Sequence, residues 1–138
     1  MIKEIRYSGR LYAVIIYHNH HEDGIAFFTP NDFSQQLAYM HHKKGHVIQP
    51  HIHNAVKREV SLTQEVLFIR KGKLRVDFYD DKQNYLESFV LEGGDVILLA
   101  KGGHGFKILE ETEMIEVKQG PYMGEMDKTR FSEKFVEE

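Results

Sequence analysis

Short runs of β-branched and aromatic residues recur along this chain, each halted by a cluster of Gly, Asp, Asn or Pro, and this rhythm limits the fold more than any other feature. Leu11-Tyr12-Ala13-Val14-Ile15-Ile16-Tyr17 is the most apolar run and reads as a strand buried on both sides. Further strands are expected over residues 25–29, 35–42, 64–70, 73–79, 85–91, 95–99, 106–109 and 114–118. The breaks between them include Asp23-Gly24, Pro30-Asn31-Asp32, Lys71-Gly72, Asp80 to Asn84 and Glu92-Gly93-Gly94, all rich in turn formers. Many short strands at regular spacing predict an all-β sandwich or barrel. After Gly120-Pro121 the chain turns polar, and residues 127–135 are expected to add one short C-terminal helix. At 138 residues, with neither an internal repeat nor a linker, residues 1–138 are expected to form a single domain.

One stretch carries chemistry. In Gly45-His46-Val47-Ile48-Gln49-Pro50-His51-Ile52-His53 the apolar residues predict a strand, which places His51 and His53 on one face. Two imidazoles in that relation can converge on one ion, and a carboxylate adds a hard oxygen ligand. Glu65, opening the run Glu65-Val66-Leu67-Phe68-Ile69, is the nearest carboxylate with strand character around it. Alternation puts it on one face with Leu67 and Ile69, so the charge enters an apolar interior and needs a cation. His104, set among Gly102, Gly103 and Gly105, supplies a third imidazole. His51, His53, Glu65 and His104 are thus the candidate ligands of one divalent transition metal: Zn, Fe, Mn or Ni. Glu59 is an alternative to Glu65, although Lys57 and Arg58 beside it suggest a solvated loop. His18, His20 and His21 lie in a polar turn, and the adjacent His41 and His42 face opposite ways if extended.

Gly45-x5-His51-x-His53, with Glu65-x6-Gly72, resembles the first motif of the cupins, and Gly94-Asp95 with Gly102 and His104 resembles their second. These motifs span residues 45–106. The resemblance implies a double-stranded β-helix, or jelly-roll barrel, with the two His and the Glu of the first motif and the His of the second on one metal. This chain departs from the pattern in three places. Eleven residues separate His53 from Glu65, as an inserted loop would. The proline usual in the second motif is absent, and Ile108 stands where an Asn often follows.

Charge and composition narrow the partners. A net charge of −3 and the lack of a basic stripe argue against nucleic acid. The apolar run at residues 11–17 is too short for a membrane span, and Met1-Ile2-Lys3-Glu4-Ile5-Arg6 lacks a leader's apolar core. With no cysteine, neither disulfides nor thiolate ligands are available. A cytoplasmic protein is expected. A homodimer is expected from the apolar N-terminal strands, whose edges need partners, and from the cupin resemblance. A metal held by three His and one Glu keeps open positions, which suggests a small-molecule enzyme of isomerase, epimerase or dioxygenase type. Its substrate would be sugar-like or a hydroxy acid, with Gln49, Tyr39 and His42 as nearby candidate catalytic groups. The competing expectation is a non-catalytic cupin that binds a small carbohydrate-like ligand or metal. Fold alone does not choose between them.

Overall fold

The computed structural model describes residues 1–134 and is built from strands. β1 (Ile2–Tyr7) and β2 (Arg10–Ile16) form a hairpin. Its two-residue turn, Ser8-Gly9, has positive φ at both positions (52° and 72°), the mirror-image turn that suits twisted strands. β3 (Gly24–Phe27) and β4 (Ala38–His41) make a separate two-stranded sheet. β5 (Glu65–Tyr79), β6 (Tyr85–Glu92), β7 (Val96–Leu99) and β8 (Gly103–Lys118) complete the main sheet. Its order is β1-β2-β7-β5-β6, and β8 lies on the other side of β5. All pairings are antiparallel.

The sheet buries both faces, as the apolar run in β2 requires. Ala13 and Ile15 point to one side with Leu67, Ile69, Ile97 and Leu99, joined by Leu74, Val76 and Phe78 farther along β5. Val14, Ile16 and Leu98 point to the other, where Leu37, Phe28 and Phe33 cover them. The sheet curls because β5 and β8 bend together. Their register shifts three times between Ile69 and Leu74. Gly72, at φ 100°, sits at this bend, and a Cβ there would stand 2.2 Å from the Glu111 carbonyl oxygen. Only glycine supplies that φ without strain and that closeness without collision. The result is a curled, partly closed antiparallel half-barrel of jelly-roll-like shape.

Several expectations are corrected in detail. The expected strands 64–70 and 73–79 are one continuous strand, Glu65–Tyr79, since Gly72 bends the ladder without breaking it. Residues 106–109 and 114–118 likewise belong to one strand, β8. Of residues 35–42 only Ala38–His41 are paired. Residues 46–61 form no strand, because they meet no sheet edge within the single chain. The expected helix over 127–135 is replaced by a single 3-10 turn, Gly124–Asp127. Residues 128–134 are irregular, and Phe135 lies outside the described residues. Among the described residues no helix is long and apolar enough to cross a membrane.

Candidate functional site

Glu65 opens β5 in a row with Lys118 on one side and Leu99, then Ala13, on the other. Leu99 and Ala13 are buried, so the row offers Glu65 little water. His104 follows β7 after a short turn through Gly102, which has φ 74°. Tyr12 packs where a Cβ on Gly102 would stand, 2.4 Å from a ring carbon, so the turn is tight only because that Cβ is missing. It carries the chain back over the mouth of the half-barrel, and His104 Nε2 lies 2.8 Å from Glu65 Oε1. Both side chains are largely covered, at 29% and 13% exposure.

A second carboxyl completes the group. Glu116 lies two residues from Lys118 on β8, one row from Glu65, and shares a hydrogen bond with it. The bond from His104 holds the Glu65 carboxyl well below its ordinary 4.5, at about 2, against the opposing effect of burial, while Glu116 and Lys118 also favour the charged form. Glu116 moves the other way. Its bond to Glu65, burial and the charge of Glu65 raise its pKa, so it holds the proton they share. Glu65 is therefore a carboxylate accepting from two donors, the His104 ring and the Glu116 hydroxyl. The bond to Glu65 uses an Nε2–H, and in the neutral form of that tautomer the ring lone pair lies on Nδ1.

These residues line a cavity of about 750 Å³. Its walls include Leu62, Thr63, Tyr79, Phe106 and Lys118, and the segment Asp127 to Phe131 crosses one side. The Thr63 hydroxyl bonds to Asp127, and Phe131 meets Tyr79 edge to face at 5.0 Å. The C-terminal segment is thus tied down over the cavity. Beneath it, buried Asp77 takes a two-pronged bond from Arg75 at 2.7 and 3.0 Å and another from Ser88 at 2.5 Å.

Of the four candidate metal ligands, Glu65 and His104 lie in direct contact. His51 and His53 form a separate pair with ring centroids 5.1 Å apart, on the exposed segment that follows β4. His51 Nδ1 bonds to the Gln49 carbonyl at 2.8 Å. Among the described residues no three His, Asp or Glu side chains are grouped to hold a metal ion. In the single chain these donors stand as two pairs, Glu65 with His104 and His51 with His53.

Gln49 and Glu59 are exposed on the same segment. Tyr39 packs edge-on against His20 at 5.0 Å, and His42 stacks on His46 at 4.2 Å. His42 lines a second hollow beside Asp23 and His41, not the cavity of Glu65. Glu116 and Lys118 were not singled out in the sequence. Their alternation with Val117 marks them as sharing a face, but which face depends on pairing with Glu65, far away in the chain. Asp95 of the Gly94-Asp95 pair is buried and accepts the His18 and Glu92 backbone N–H groups at 2.8 and 2.7 Å, so it anchors a turn. No family model, curated protein or solved structure matches the chain.

Proposed function

We propose that this protein is a small-molecule enzyme of isomerase or epimerase type, in which His104, oriented by Glu65, moves a proton on a sugar-like substrate. The observation that carries this reading is the 2.8 Å contact between His104 Nε2 and a Glu65 carboxylate within a cavity of about 750 Å³. A carboxylate that fixes one ring nitrogen as the donor leaves the other free as a base and stabilises the imidazolium once formed. The reaction is removal of a proton from a carbon next to a carbonyl while the carbonyl oxygen gains one. A proton then returns to the other enediol carbon (isomerisation) or to the opposite face of the same carbon (epimerisation) as a hydroxyl proton leaves and the carbonyl re-forms. The electron pair of the broken C–H bond passes into an enediol and back, so no oxidant is consumed. The carboxyl of Glu116, hydrogen-bonded to Glu65 and with its pKa raised by that bond and by burial, is the candidate source of a second proton for the same network.

The lining favours hydroxyls over phosphates. Carboxyl side chains of Glu65, Asp77, Asp81, Glu116, Asp127 and Glu133 outnumber the four cations Lys101, Lys118, Lys128 and Arg130, even with the proton-bearing Glu116 set aside. Arg130 is already engaged by Glu125. A hydroxyl-rich substrate with little charge suits such a wall better than a polyanion. The test is proton NMR of a panel of aldoses and ketoses incubated with the protein in heavy water. Deuterium should enter next to the carbonyl, and His104→Gln and Glu65→Gln should each slow its entry by about 10²–10⁴-fold. Absence of exchange across the panel contradicts the reading.

A metal-dependent version has one observation in its favour, the adjacent imidazoles of His51 and His53 on a segment held by no sheet. If that segment reached the cavity, the four side chains would suit a divalent transition metal. The metal would supply Lewis-acid chemistry there.

A further inference from the structure

We propose that residues 47–62 form an exchange arm, which in a dimer lies as an added strand along the free edge of β8 in the second copy. Every residue of this segment is exposed and none is in a strand. Yet its composition is that of a half-buried strand. Ile48, Ile52, Val56, Val60 and Leu62 share one parity, while Gln49, His51, His53, Lys57, Glu59 and Ser61 share the other. Extended, the segment has one largely apolar face and one polar face. That apolar row is left in water, with Ile52 88% and Val56 60% exposed.

β8 presents the complementary defect. It pairs with β5 along its length, and among the described residues no strand covers its other edge. Phe106, Ile108, Met114, Ile115 and Val117 on it are all substantially exposed. A long apolar edge with unused backbone hydrogen-bonding groups is a template for another strand. The lengths are compatible, since β8 has 16 residues and the exposed run 43–62 from which the arm is drawn has 20. The charges agree too. Lys57 and Arg58 outweigh Glu59 in the arm, with Lys43 and Lys44 just before it, whereas Glu110, Glu111, Glu113 and Glu116 outweigh Lys107 and Lys118 in β8.

The occupant is a second copy because the arm's own chain cannot place it well. The Gln64 carbonyl accepts from Gln119 N–H at 3.0 Å, which fixes Gln64 on the β5 line just past the end of β8. From Leu62 to Gln64 the chain reaches about 7 Å at full extension. The strand position outside β8 lies two spacings away, about 9.6 Å. Folding back in the same chain would strip Leu62 from the pairing and run the arm parallel to β8, the weaker arrangement. A second copy escapes both restrictions, and reciprocal exchange closes the dimer by a two-fold axis.

The absence of native cysteine makes the test clean. Val56→Cys and Glu111→Cys are made as separate full-length proteins at exposed positions, mixed, and joined with a flexible bismaleimide. Light scattering should give a dimer at micromolar concentration, with the 56–111 link between chains dominating over 56–56 and 111–111. Ile52→Lys with Val56→Lys should raise the dimer dissociation constant at least about tenfold. A monomer by light scattering overturns the proposal. So does a dimer lacking the 56–111 link, or a double-cysteine chain that links only within itself.

Discussion

Glu65 and His104 enter the same β5–β8 ladder near its opposite ends, Glu65 across from Lys118 and His104 across from Phe78, yet their side chains meet at 2.8 Å. A straight ladder of that length would hold them about 40 Å apart. The bend at Gly72 and the turn after β7 bring the ends together, so the site is a consequence of sheet curvature.

Gly72→Ala is therefore expected to be among the most damaging single substitutions. Both the positive φ and the 2.2 Å approach to Glu111 oppose a Cβ, and the cost should be at least about 2 kcal/mol in urea unfolding. Gly24 also has a positive φ, of 82°, but faces open space, so Gly24→Ala should cost about 1 kcal/mol. Equal effects at the two positions would show that the close approach does not matter.

Asp95→Ala should destabilise by about 3 kcal/mol in the same assay, because it strands the His18 and Glu92 N–H groups in a buried turn. Asp95→Asn keeps an acceptor oxygen and should lose less. Loss of the cavity's chemistry with unchanged stability would instead make Asp95 part of the site.

The two hydrogen-bonded carboxyls, Glu65 and Glu116, set opposite pH dependences. Glu65 ionises at about 2 in the fold against an ordinary 4.5, so its stabilisation is complete above pH 4.5 and fades as pH falls toward 2. Glu116 is raised, so its contribution is complete below pH 4.5 and is lost as pH climbs through its folded value. Glu116→Gln retains a hydrogen-bond donor to Glu65 and removes the second dependence. Its unfolding free energy should lack the part of the wild-type decline above pH 4.5 that Glu116 causes, as urea titrations across pH would reveal.

Much of the fold was legible because strand periodicity and turn residues are local. The runs in β2, β6 and β7 and their Gly and Asp breaks needed no tertiary information. Glu65 and His104 were legible as candidate ligands of one metal, but their direct contact depends on the bend of the β5–β8 ladder, which no local pattern records. What failed was the strand at His51 and His53. Alternation records that the segment can be a strand, but not whether an edge is available, and among the described residues no strand of the same chain takes β8's outer edge. Glu116 was hidden for a related reason: its role exists only through its register with Leu67 and its neighbour Glu65.

The account rests on Glu65 being a carboxylate held by two donors, and carbon-13 NMR of its side-chain carboxyl against pH tests that most directly. The Glu65 resonance should remain that of the ionised form well below pH 4.5, with a midpoint near 2, while Glu116 titrates above 4.5. His104→Gln should return Glu65 toward the ordinary value. Two carboxyls titrating together near 4.5, indifferent to His104, would contradict the site as described.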